Sequence, residues 1–293
     1  METITPTKIY QAVLNTVDSG ETKRAYTRAL TDFDTWRLFH GAEFNRSAVQ
    51  GYKGYLISIG MGAVNVNLRL TAIRRLAQEA ADNGELDQAI AGGIQRVKGI
   101  RREGKRLGNW LSKDQAQALI NAPDTAISKG LRDRAILAVL IGCGLRREEA
   151  ASLTCDHIQM REARWVVVDL VGKRNKVRSV PMPEWCKTAL DTWTEAAGIS
   201  EGRIFRSISK WGKVADSMTA QAIYGVVQEY APGLAPHDLR RTFAKLAHKG
   251  GAALEQIQLS LGHASIKTTE VYLGVNQDLN TAPCDFLGLN LDG

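Results

Sequence analysis

No run of about 18 apolar residues occurs in the chain, so the sequence offers no helix for crossing a bilayer. The N-terminal stretch Met1 to Gln11 is polar, which argues against a secretion signal. The four cysteines, Cys143, Cys155, Cys186 and Cys284, have no CxxC spacing. That excludes a zinc site and a disulfide framework, and free thiols in a reducing cytosol are expected. Internal repeats and low-complexity segments are missing as well, which excludes solenoids and biased tails. The expectation is a cytoplasmic globular protein with no membrane partner.

What is present is a chain of 293 residues, 44% hydrophobic and 24% charged. This is apolar material for one large core or two ordinary ones. The net charge of +7 leans towards a polyanionic partner, although basic enzymes with no nucleic-acid role share that bias.

Helical periodicity dominates the first third. Tyr26, Leu30, Phe33 and Trp36 recur at helical spacing behind Ser19-Gly20-Glu21-Thr22, and Gly51 to Leu56 and Val64 to Ala80 read as further helices. In the last of these Leu68, Ile73 and Leu76 turn inward. Arg69, Arg74 and Arg75 turn outward, either as a solvated face or as part of a DNA-gripping surface. From Ala91 to Asn109 glycines mix with Arg96, Lys98, Arg101, Arg102, Lys105 and Arg106, which predicts an extended basic linker suited to a phosphate backbone. The expected organisation is a helical domain over residues 1–95, a linker over 96–110 and a second domain over 111–293, with an apolar tail from about 274.

In the second domain Ser112 caps a helix that runs to about Asn121, and the apolar helix Leu131 to Ile141 stops at Gly142-Cys143-Gly144. Trp165 to Val171 and Lys176 to Val180 flank the turn Gly172-Lys173-Arg174-Asn175 as a β-hairpin. Helices follow over residues 184–197, 219–229, 238–248 and 253–261. The fold class is mainly α, with one small antiparallel sheet in the second domain.

Four pieces of the second domain carry candidate chemistry. His237 and Arg240 stand one turn apart, off the core stripe of Leu239, Phe243 and Leu246. Arg146 follows a helix break, where it pairs with Glu149, offers donors to an anion, or does both. Lys173 at a hairpin tip is either a solvated loop residue or a mobile proton donor. His263 lies just beyond the helix-ending Gly262, and Tyr272 between Val271 and Leu273 reads alone as a packing residue.

In this order the pieces resemble the boxes of the tyrosine recombinase (phage integrase) family, over about residues 10 to 285. The first arginine box is Cys143-Gly144-Leu145-Arg146-Arg147-Glu148-Glu149-Ala150-Ala151-Ser152-Leu153, with Cys143 where the family usually has Thr. The hairpin box is Gly172-Lys173-Arg174-Asn175-Lys176-Val177-Arg178-Ser179-Val180-Pro181, with Arg174 in place of the usual Gly. His237-Asp238-Leu239-Arg240 and the ungapped run Leu261 to Tyr272 complete the set. No arm-binding domain is expected before Thr22, which is similar to the compact, Xer-like members.

The resemblance implies an all-helical N-terminal core-binding (SAM-like) domain and a mostly helical catalytic domain. It implies that Tyr272 attacks a DNA phosphodiester to give a 3′-phosphotyrosyl link. Arg146, Arg240 and His263 would neutralise the phosphate oxygens, His237 would take the tyrosine proton and Lys173 would protonate the leaving oxygen. Glu149 would support Arg146, and Arg174 and Lys176 would join the basic residues named above on DNA. Cationic side chains would stand where metal ions otherwise serve, so no metal, ATP or other cofactor is expected. The implied partners are a double-stranded recombination site and further protomers, as a homotetramer or a heterotetramer with a related recombinase. The tail would dock in cis or on a neighbour. Two alternatives stay open at this point: type IB topoisomerase-like relaxation, and non-catalytic DNA binding on the same fold.

Overall fold

The computed structural model describes residues 6–101, 109–172, 177–263 and 265–273. The chain divides into two compact units, Met1–Lys105 and Arg106–Gly293.

In the first unit the helices are α1 (Pro6–Asn15), α2 (Gly20–Phe39), α3 (Arg46–Ser58), α4 (Ala63–Asp82) and α5 (Gln88–Gln95). Side chains set the starts of three of them: Ser19 accepts from the Thr22 amide, Asn45 from Ala48, and Asp87 from Ala89 and Ile90. Leu30, Phe33, Tyr52, Leu70, Ile73 and Ile94 fill the core between them. α3 begins five residues before Gly51, where the Asn45 cap puts it. Gly51 itself meets the Trp36 ring, where an added Cβ would lie 3.1 Å from the ring edge.

The first part of the basic stretch is helical rather than extended. Ala91 to Gln95 lies within α5, with Ala91, Gly93 and Ile94 buried, because the apolar residues here outweigh the helix-breaking tendency of paired glycines. Residues 96–101 then run along α4. Asn67 bonds Ile100 in both directions, its Oδ1 accepting from the amide at 2.8 Å and its Nδ2 donating to the carbonyl at 2.9 Å. Lys53 Nζ donates to the Lys98 carbonyl at 2.9 Å, and Val97 is buried.

The second unit opens with α6 (Lys113–Asn121), capped by Ser112 and Gln115 in a reciprocal box. α7 (Ser128–Gly142) is buried on nearly every side and forms the axis of this unit. α8 (Arg147–Ser152) and a single 3-10 turn (Cys155–His157) lead into a three-stranded antiparallel sheet of β1 (Ile158–Arg161), β2 (Arg164–Val171) and β3 (Val177–Pro181), in that order. β1 has no counterpart in the sequence reading. Its two-residue turn is Glu162-Ala163, both at positive φ, where Asn-Gly is the usual signal. A bulge in β2 between Val167 and Leu170, with Asp169 at φ 55°, lets both of these residues face the core. The unit closes with α9 (Glu184–Ala196), α10 (Ala220–Tyr230), α11 (Pro236–Lys249), α12 (Leu254–Leu261) and α13 (Ile266–Leu273).

A second, smaller cluster seats the last helices: Ala244, Ile257, Leu261 and Leu273 are buried together, with Phe243 against them. Cys143 and Cys186 are buried with their sulfurs 3.9 Å apart as thiols, while Cys284 lies outside the described residues. Among the described residues no helix is long and apolar enough to cross a membrane.

Candidate active site

Glu149 is the hub. It sits in the first turn of α8, 4% exposed, and three groups converge on its carboxylate. The Arg146 amide donates to Oε2 and Arg146 Nη1 to Oε1, both at 2.7 Å. Arg178 approaches from β3 and closes a two-point pair, Nη1 to Oε1 at 2.7 Å and Nη2 to Oε2 at 2.8 Å. Arg240 Nη1 lies 4.0 Å from Oε2. Burial pushes the carboxyl up, but the donors from Arg178 and Arg146 outweigh it and hold the group at about 2. It is a carboxylate throughout the neutral range.

The end of α12 supplies the second set of partners. The Leu261 carbonyl accepts from Arg146 Nη2 at 3.3 Å and also from Arg240 Nη2. Arg240 Nη1 donates to the Gly144 carbonyl at 2.6 Å, and Arg178 Nε to the Ser260 carbonyl at 2.8 Å. Gly144 and Gly262 let their neighbours pack close here. Both hold positive φ, and a Cβ would meet the Phe243 ring at 2.6 Å in the first case and Arg178 Cδ at 2.9 Å in the second. Three guanidiniums against one carboxylate leave the cluster at +2, a charge suited to an oxyanion.

His263 follows the left-handed Gly262. Its backbone is held from both sides by Gln258: the His263 amide donates to the Gln258 carbonyl, and Gln258 Nε2 donates to the His263 carbonyl, both at 3.1 Å. Its Nδ1 lies 3.0 Å from Oγ1 of Thr269, a fully buried residue of α13. Burial first, then the charges of Arg240 and Arg146, lower the ring to about 4, so it is neutral at pH 7. His237, the second residue of α11, is lowered too, by burial and then by Arg241 and Arg240, with Asp238 opposing. Asp238 fixes this helix start by accepting from the Ala235 amide at 2.9 Å. An open cleft of about 180 Å³ is lined by Arg146, Gly172, Val177, Arg178, Gln258, Leu259, Gly262 and His263.

The structure thus gathers Arg146, Glu149, Arg240 and His263 in one place, with His237 close enough to feel the Arg240 and Arg146 charges. Tyr272 lies on α13, one turn beyond Thr269. Lys173, Arg174 and Lys176 fall outside the described residues, as do Arg102, Lys105 and Arg106. Of the candidate DNA-contacting residues in the first unit, Arg75 and Arg101 are exposed, and Arg75 also lies over the Tyr26 ring. Arg69 and Arg74 do not turn outward as expected. Both are half-buried, Arg69 paired with Asp32 at 2.7 Å and Arg74 donating to the Val97 carbonyl, because their stems cover the seam between helices.

Arg178 and Thr269 are the participants that residue-by-residue reading passed over. The signal for Arg178 was its parity with Val180: two residues apart on one strand, they face the same side of the sheet. For Thr269 the signal was a position one turn before Tyr272, three residues along the same helix.

A model of the phage integrase family matches residues 109–278. Tyrosine recombinase XerD of Pseudomonas putida is 35% identical over 184 residues, which span 59% of this chain and 59% of that protein. Tyrosine recombinase XerD of Vibrio vulnificus is 32% identical over 242 residues, 78% of this chain and 75% of the relative. Among solved structures, the Tn1549 transposon integrase in complex with transposon right end DNA aligns over 95% of this chain and 97% of its own, with a TM-score of 0.69 and 16% identity. At that identity the likeness shows the fold alone.

Proposed function

Because the chain belongs to the phage integrase family of tyrosine recombinases, we propose that it is a site-specific DNA recombinase with Tyr272 as nucleophile and the Arg146–Glu149–Arg240–His263 cluster as its phosphate seat. The observation that carries the site assignment is the net +2 of Arg146, Arg178 and Arg240 around Glu149, with the guanidiniums fixed before any phosphate arrives. A phosphodiester in the cleft would accept donors from Arg146, Arg240 and His263, which offsets the charge that builds on the non-bridging oxygens. A tyrosine phenol ordinarily holds its proton up to about pH 10, so Tyr272 would lose its proton as it attacks, with His237 as the acceptor. Lys173 would protonate the departing 5′ oxygen. The phosphotyrosyl bond conserves the energy of the cleaved ester, so rejoining needs no ATP.

The partner is DNA. Strand exchange between two duplexes calls for two protomers on each, so the working form is a tetramer on DNA, in the cytoplasm. The topoisomerase-like alternative draws no support from the comparisons, which are to recombinases and integrases.

The test uses a pool of nicked duplexes with a randomised central segment. Protein–DNA adducts that survive denaturation are captured, and the bound strands are sequenced. A covalent adduct enriched in one sequence is expected, and it vanishes in Tyr272→Phe. No adduct across the pool, or an adduct that persists in Tyr272→Phe, overturns the assignment.

A further inference from the structure

We infer that Thr269 is a positioning residue that fixes the His263 ring in the tautomer with its hydrogen on Nε2, making it a donor to the phosphate. This inference rests on the reading of His263 as a phosphate-binding group.

The argument runs from the polar atoms. His263 is neutral, so one ring nitrogen carries a hydrogen and the other a lone pair. Which is which depends on the partner of Nδ1. That partner is the Thr269 hydroxyl at 3.0 Å. A carbonyl in this place accepts only and would hold the hydrogen on Nδ1, leaving a lone pair at Nε2 to oppose an anionic oxygen. A hydroxyl can donate. When it does, Nδ1 accepts and the hydrogen moves to Nε2, which adds a donor to those of Arg146 and Arg240.

Geometry supports an orienting role. Thr269 is fully buried, so water does not compete for its hydroxyl. The ring is anchored at its backbone by Gln258 and at Nδ1 by Thr269, which removes the rotation that would carry it out of the site. Thr269 belongs to α13, which also carries Tyr272, and Leu273 seats the end of that helix in the Ala244–Ile257–Leu261 cluster. One hydrogen bond therefore links the seating of the nucleophile's helix to the donor state of His263.

The experiment combines ring-nitrogen NMR with cleavage. Histidine-labelled protein, with His263 assigned by difference from His263→Ala, is expected to show a protonated Nε2 and an unprotonated Nδ1. A protonated Nδ1 in the unsubstituted protein overturns the inference with no variant required. Thr269→Val keeps the volume and removes the hydroxyl. It is expected to mix the tautomers and slow adduct formation on the nicked duplex pool about tenfold, the loss of one hydrogen bond. Thr269→Ser restores the hydroxyl and is expected to stay within about threefold of the parent rate. Val cleaving at the parent rate while His263→Ala is impaired sinks the role of Thr269 and leaves the phosphate seat standing. His263→Ala cleaving at the parent rate removes the reading on which the inference rests.

Discussion

Arg178 and Glu149 face each other across α8 and β3 in a two-point ion pair, with both oxygen–nitrogen contacts at 2.7–2.8 Å and both side chains under a tenth exposed. The same carboxylate receives the backbone and side chain of Arg146. Arg178 therefore shapes the position of Arg146 through the shared carboxylate.

Removing one member of this pair leaves a buried charge with too few partners. Glu149→Ala is expected to lower stability by about 3–5 kcal/mol, and Arg178→Met by a similar amount. Arg178→Lys keeps the charge but loses the fork, and should be milder for stability than for cleavage. Urea unfolding and adduct yield on the same preparations provide the check.

Arg146 and Arg240 should separate by stability. The Arg146 side chain is 29% exposed, and its removal leaves Arg178 on Glu149, so Arg146→Ala is expected to abolish cleavage at a cost of about 1 kcal/mol. Arg240 is 1% exposed and satisfies two buried carbonyls, so Arg240→Ala should cost about 3 kcal/mol as well as activity. Equal losses in the two variants would contradict the geometry.

The site also sets an acid limit. The Glu149 folded pKa of about 2 lies below the ordinary 4.5, so its contribution is present above about pH 4.5 and is lost as pH falls towards 2. His263, at about 4 against 6.5, takes up a proton on unfolding, so its contribution is present above about pH 6.5 and declines as pH falls towards 4. A proton NMR titration should place the His263 midpoint near 4, and Arg146→Gln should raise it by removing one of the repelling charges.

Gly262→Ala tests the close approach at the end of α12. A left-handed alanine costs about 1–2 kcal/mol by itself. Here the new Cβ would also push on Arg178 Cδ from 2.9 Å, so cleavage should fall along with the melting temperature. Gly251→Ala, at φ +88° with open space around it, carries the strain alone and should leave cleavage near the parent value.

Much of this was legible in the residues because it depends on local signals. Ser112 announced α6, and the Leu239–Phe243–Leu246 stripe announced α11. The pairing of Arg146 with Glu149 follows from their spacing of three on one helix start. What stayed hidden depends on contacts across the fold. Arg178 meets Glu149 over a separation of 29 residues, and no periodicity reports that. Asn67, an ordinary polar residue of α4, holds residues 96–101 against the first unit by two bonds to Ile100, so a stretch that reads as a linker from charge and glycine content is bound in its described part. β1 was missed because Glu162-Ala163 adopts its turn without the residues that usually advertise one.

Leu261 carries two separable kinds of information. Its side chain is fully buried among Ala244, Ile257 and Leu273, while its carbonyl receives both Arg146 and Arg240. The side chain answers to mutation, but the carbonyl is common to all twenty residue types. The spacing between the Arg146 and Arg240 guanidiniums is thus gauged by a backbone atom. An alanine scan would score position 261 as a packing residue and overlook its polar role. Replacing the peptide bond after Leu261 with an ester would weaken the acceptor and leave the side-chain packing unchanged, and a parallel variant of Arg146 and Arg240 separates that loss from the loss of the Gly262 N–H bond to Leu259.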